Sequence, residues 1–149
     1  MPRDFGLACH EAGHAVAALV LGYNARIILY PGDGTEGVTK TSPLFRNYRD
    51  DAIVSMAGAV AQLFHDPGSL SPAHVKGDDE RAWHACLALA HGDVNRARDH
   101  WQRTRLATVD LIADNWPAIE RLTKALLERG ALDAEAVRKV AGQLSVAAN

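Results

Sequence analysis

Asp4-Phe5-Gly6-Leu7-Ala8-Cys9-His10-Glu11-Ala12-Gly13-His14-Ala15-Val16-Ala17-Ala18-Leu19-Val20-Leu21-Gly22 is the stretch whose reading decides the fold of this chain. The apolar residues Phe5, Leu7, Ala8, Ala12, Ala15, Val16, Leu19 and Val20 support a continuous helix over about 4 to 21. Asp4 is its candidate N-cap and Gly22 its candidate stop. Within it lies the word His10-Glu11-Ala12-Gly13-His14, of the form HExxH. One helical turn separates the two histidines, so both imidazoles leave the same face and can hold one ion, with Glu11 beside them. The residue types fit one chemistry. Two neutral nitrogen ligands hold Zn²⁺ without cancelling its charge, the ion acidifies water, and the carboxylate takes the proton during attack on a carbonyl.

A catalytic zinc takes three protein ligands and keeps one position open. His65, His74, Asp78, Asp79, Glu80 and His84 supply the candidates for the third ligand. A Pro/Gly/Ser-rich loop over His65 to Gly77 is expected to lead into a helix from Asp78 to Ala90. Asp78 is the favoured ligand, since a short carboxylate at a helix start has a fixed direction; His74 and Asp79 are its alternatives. If His74 joined Asp78, the shell would close at four ligands and the zinc would be structural.

At this point the chain resembles the zinc-peptidase domain of the FtsH-type membrane proteases, the M41 peptidases. Three phrases carry the resemblance, in the family's order and spacing, over nearly the whole chain. HEAGHA stands at His10 to Ala15. The helix start of Asn-Asp-x-x-x-Ala type is matched by Gly77-Asp78-Asp79-Glu80-Arg81-Ala82. A Leu-Leu-Glu-x-x-x-Leu phrase is matched by Leu126-Leu127-Glu128-Arg129-Gly130-Ala131-Leu132. The resemblance implies His10, His14 and Asp78 as zinc ligands and Glu11 as the catalytic base. It also implies ring assembly as a homo-oligomer and a polypeptide substrate. Two phrases depart from the pattern: Gly77 replaces the family's Asn, and Met56-Ala57-Gly58-Ala59-Val60-Ala61-Gln62-Leu63 replaces its glycine- and glutamate-rich middle helix. The sequence contains no P-loop of GxxxxGK[ST] form, so an unfoldase is expected, if at all, as a separate ATPase acting in trans.

Composition bounds the rest. With 149 residues, 48% of them hydrophobic and 23% charged, the chain suits one domain over 1–149. A net charge of −2 without a Lys/Arg run argues against nucleic acid. No stretch reaches the ~18 apolar residues of a membrane span and no signal-peptide pattern opens the chain, so a cytoplasmic protein is expected. Cys9 and Cys86 form no CxxC, and Cys9, about 100° around the helix from His10, reads as a buried thiol.

Ala25 to Tyr30 reads as a strand, Pro31 to Gly34 as a turn and Glu36 to Thr41 as a second strand, giving a small antiparallel sheet beside the first helix. Either strand is a candidate edge for binding an extended substrate. Tyr48 to Phe64 reads as a core helix in which Gly58 allows close approach of the HExxH helix. A long helical pattern from Asp93 should kink or break at Pro117 and end at Gly130. Leu132 then folds back, and Asp133 caps a last helix, with Leu132 and Val137 as staple. His84, His91 and His100 read as structural or solvated. The expected fold is α+β, mainly helical and zincin-like, with a C-terminal helical bundle. The expected function is zinc-dependent endopeptidase on unfolded or flexible polypeptide. The rival is an inactive metal-binding interaction module on the same fold.

Overall fold

A computed structural model describes residues 4–29, 37–70 and 72–146, with side chains left out at 72–74. The first helix, α1 (Phe5–Val20), begins where the Asp4 carboxylate accepts the Leu7 amide, and ends at Leu21 ahead of Gly22 at φ +92°. Fourteen of its sixteen residues are buried, including His10, Glu11 and His14. A helix apolar all round needs neighbours on every side. α1 has them in α2 (Tyr48–His65), α5 (Trp116–Arg129) and the sheet.

The two strands expected from the sequence are β1 (Asn24–Leu29) and β2 (Gly37–Ser42), paired antiparallel from Asn24 with Ser42 to Leu29 with Gly37. The proposed turn Pro31 to Gly34 lies outside the described residues. A third strand, β3 (Ala131–Leu132), joins β1 on its other side through Ile27 with Leu132 and Ile28 with Ala131. β1 is therefore central and β2 is an edge. Ala25, Ile27 and Leu29 turn inward while Arg26 is exposed, the period-two alternation of a half-buried strand.

Small residues set the packing of α1 on α2. A Cβ at Gly13 would stand 2.6 Å from both the Ala57 carbonyl oxygen and the Ala61 Cβ. At Gly58 it would meet His14 Nε2 and sit 2.6 Å from His10 Nε2. At Gly58, where close approach of another backbone was expected, the neighbours are the His10 and His14 rings; the close backbone approach falls at Gly13.

One expectation is corrected. α3 runs over Pro72–Leu89, so the segment up to Gly77 is not all loop, and Asp78 sits well inside the helix instead of at its start. Proline is favoured in the first helical turn, where its missing N–H removes no bond, and a helix tolerates Gly77 at a cost of about 1 kcal/mol. A single 3₁₀ turn, Pro67–Ser69, links α2 to α3.

The remaining helices follow the sequence. α4 (Val94–Asp114) starts with Asp93 accepting the Arg96 amide. The helical pattern breaks at Asn115, with Pro117 in the first turn of α5. α5 ends at Gly130 in the left-handed conformation, and α6 (Ala134–Ala141) is capped by Asp133 accepting the Ala136 amide. Leu132 and Val137 are both buried in the main core. A smaller cluster of Ala52, Met56, Ala82, Ala85 and Cys86 joins α3 to α2. The result is a mainly helical protein with one small antiparallel sheet. Among the described residues no helix is long and apolar enough to cross a membrane.

Gly13→Ala should lower stability by about 1–3 kcal/mol, because the added methyl overpacks a backbone contact that cannot yield. Urea unfolding reads this directly; an unchanged midpoint would mean that α1 and α2 are not so close.

Candidate metal centre

Three polar atoms from two helices meet in the interior. His10 Nε2 lies 2.9 Å and His14 Nε2 3.0 Å from Asp78 Oδ2, and the two Nε2 atoms are 3.1 Å apart. These residues are the one His/Cys/Asp/Glu group with metal-ligand geometry among the described residues. The near-equilateral triangle approaches the roughly 3.3 Å edge of a tetrahedron with metal–ligand distances of about 2.0–2.1 Å.

The outward ring nitrogens explain why the inward ones face each other. His14 Nδ1 lies 2.6 Å from the Val54 carbonyl oxygen, and His10 Nδ1 lies 3.0 Å from Gln62 Oε1. Gln62 has a defined orientation because its amide nitrogen donates to the Ser69 carbonyl at 2.9 Å. Both Nδ1 atoms therefore act as donors, which leaves the Nε2 lone pairs pointing inward whenever the rings are neutral. Two lone pairs and a carboxylate oxygen at hydrogen-bond range, from two buried histidines and a half-buried Asp78, repel unless a cation lies among them. The donor set fits a metal ion.

A proton answers the same need when no metal is bound. Burial disfavours the His14 imidazolium. The Asp78 carboxylate hydrogen-bonded to it, together with the charge of Glu11, outweighs this and lifts its pKa to about 9. Burial pushes Asp78 up, but the two histidines win and hold its carboxyl below the usual carboxylate range.

Glu11 is buried on α1 next to this triangle. Thr39 Oγ1 on β2 donates to the Glu11 carbonyl at 3.1 Å, with Glu11 Oε2 3.4 Å away. Gly37 leaves room for the Glu11 side chain, since a Cβ there would come within 2.8 Å of Glu11 Cγ. Glu11, His14 and Asp78 open together onto a cleft of about 210 Å³, walled by Thr39 and Thr41 of β2 and by Phe45 and Arg81.

The other sequence candidates are elsewhere. His65 is exposed and stacks on Phe5, ring centroids 4.2 Å apart. His84 and His91 are exposed and His100 is half-buried. Glu80 and Asp79 are exposed and line a separate groove with Trp83 and Trp101. The His74 side chain lies outside the described residues. Cys9 donates through Sγ to the Ala61 carbonyl at 3.5 Å, and burial raises its pKa to about 11, so it is the buried thiol expected.

Sequence reading missed Gln62, the Val54 carbonyl, Thr39 and Arg81. One signal was present: Val54, Gly58 and Gln62 stand four residues apart along one face of α2, and Gln62 is the polar member of an otherwise apolar stripe. No protein-family model matches this chain, and no curated protein matches it. The geometry of the site therefore carries the functional reading.

Two outcomes are expected. Metal binding requires His14 to lose its proton, and the raised pKa of about 9 means that the metal-free protein still carries that proton at pH 7. Zn²⁺ uptake should then release about one proton, and affinity should rise roughly tenfold per pH unit between about pH 6 and 8. In the metal-free protein the sign is opposite: the stability contributed by protonated His14 is complete below its unfolded pKa of about 6.5 and lost as pH rises through the folded value. Calorimetry in buffers of different ionisation enthalpy counts the protons, and a count of zero would contradict the paired His14. Separately, Gln62→Leu removes the acceptor that orients His10 and should weaken Zn²⁺ binding about 10–100-fold. Competition against a chelator measures this, and an unchanged affinity would remove Gln62 from the site.

Proposed function

We propose that this chain is a zincin-like, zinc-dependent endopeptidase that hydrolyses peptide bonds in unfolded or flexible polypeptide. The observation that carries the proposal is the meeting of His10, His14 and Asp78 around one point, with buried Glu11 opening onto the same cleft. Two imidazoles and one carboxylate suit Zn²⁺ better than Ca²⁺ or Mg²⁺, which prefer all-oxygen shells. Zn²⁺ when bound there supplies a Lewis acid that acidifies water and polarises a scissile carbonyl.

The chain's own residues do the remainder. His10, His14 and Asp78 would hold the ion, with Glu11, His14 and Asp78 facing the cleft that water and substrate would enter. Glu11 accepts the proton of the attacking water and delivers it to the leaving amine nitrogen, the paired base and acid roles that amide hydrolysis requires. Thr39 Oγ1 lies 3.4 Å from Glu11 Oε2, and Gly37 leaves room for the Glu11 side chain on the β2 side.

Among the described residues β2 pairs with β1 alone, so its outer edge carries main-chain donors and acceptors free to pair with an extended peptide. Backbone pairing of that kind tolerates many sequences. A small cleft beside an edge strand favours a substrate that arrives unfolded. Membership in the M41 peptidases is proposed with the activity, supported by HEAGHA at His10 to Ala15 and by the position of Asp78 across from it.

Glu11→Gln should keep the metal and cut hydrolysis of an unstructured protein such as casein by on the order of 10²–10⁴-fold. Metal content and cleavage are measured on the same preparation. Wild-type protein that holds one zinc per chain yet cleaves no unstructured polypeptide would favour the interaction module.

A further inference from the structure

Arg81 is the one Lys or Arg among the described residues lining the cleft. It stands three residues beyond Asp78 on α3, one helical turn along the same face, where Cβ atoms are roughly 5–6 Å apart. Its guanidinium is held from two sides. Nε donates to Asp51 Oδ1 at 2.8 Å, and the group lies over the Phe45 ring, 5.5 Å from its centroid. The same Asp51 oxygen accepts from Ser55 Oγ at 3.3 Å, which steadies the anchor.

This arrangement differs from a closed ion pair. Asp51 takes the Nε corner of the fork, and among the described residues the guanidinium makes no other hydrogen bond. The edge formed by Nη1 and Nη2 is thus left for a second partner, and its geometry matches a carboxylate in a bidentate pair. The side chain is 61% exposed, so such a partner can reach it. The β2 edge recognises only backbone and is blind to side chains, whereas a fixed cation one turn from a ligand can select by charge.

We infer that Arg81 is the carboxylate-recognising residue of this cleft, selecting polypeptides that carry an acidic side chain or a free C-terminal carboxylate within about two residues of the bond to be cut. The inference deepens the peptidase reading and rests on it for the location of that bond. Backbone pairing along β2 would set the register, and Arg81 would then favour one register by engaging the carboxylate.

Equilibrium binding of fluorescein-labelled peptides to the zinc-loaded Glu11→Gln protein tests this without turnover. Two matched unstructured peptide pairs are needed: one with Glu or Gln at an internal position and an amidated C-terminus, and one without acidic side chains ending in a free acid or an amide. At least one acidic member should bind about tenfold more tightly than its neutral partner, and the pair that shows the preference tells side chain from terminus. Adding Arg81→Gln should abolish the preference, while adding Asp51→Asn, which loosens the Nε anchor but keeps the guanidinium charge, should weaken it only in part. Equal binding of acidic and neutral peptides would overturn the assignment. So would loss of the preference in Asp51→Asn as fully as in Arg81→Gln, since the ion pair would then act only as a structural tie. A clear acid preference alongside wild-type protein that cleaves nothing would keep Arg81 and sink the peptidase reading; no binding of any peptide would sink both.

Discussion

The close approach of α1 to α2 is the constraint on which the site depends. Gly13 against Ala57 and Ala61 lets the two backbones come within methyl contact, and Gly58 leaves the space that the His10 and His14 rings occupy. The helices run antiparallel there, so His14 meets Val54 while His10 meets Gln62 two turns further along α2. A larger side chain at Gly58 would fill the volume the imidazoles need, and one at Gly13 would push α1 away from Ala57 and Ala61 of α2. The rings would then lose the buried acceptors that set which nitrogen of each faces inward.

That approach resolves an energetic conflict. Buried imidazoles and carboxylates are costly unless their polar atoms are partnered, and α1 buries three such groups in two turns. Outward nitrogens are satisfied by Val54 and Gln62, the Glu11 backbone by Thr39, and the inward atoms by one another around a shared positive charge. Among the described residues no buried side-chain polar atom lacks a partner. Three atoms that would repel one another with no proton among them are thus confined to the one place where a shared proton or a cation satisfies them.

α3 reaches the centre as a second, separately anchored wall. Ala82, Ala85 and Cys86 dock it on Ala52 and Met56 of α2, which fixes the turn that carries Asp78 and Arg81. The same helix thus contributes a carboxylate to the triangle and a cation to the cleft. On the opposite wall β2 closes over Glu11, while β1 is pinned between β2 and β3. The order β2-β1-β3 leaves β2 paired with β1 alone among the described residues.

Much of this was legible in the sequence where the information is local. Asp4, Gly22, Asp93, Pro117, Gly130 and Asp133 mark helix ends by cap and backbone chemistry, and the helix period alone puts His10 and His14 on one face. The start of α3 was misread because Pro72 carries the composition of a loop while being well suited to a first helical turn. β3 was missed because two residues show no alternation, and its pairing with β1 depends on where Gly130 turns the chain. Gln62 and Arg81 stand in quoted phrases but their roles went unread, because those roles exist only against His10 on another helix and Asp51 some thirty residues away. The sequence by itself put His10 and His14 on one face of α1, since backbone geometry fixes spacing within a helix. Only the tertiary structure decided that Asp78 meets that face, which strand is central in the sheet and which cation shares the cleft. Those depend on how separate elements pack, and packing is settled by side-chain volumes distributed over the whole chain.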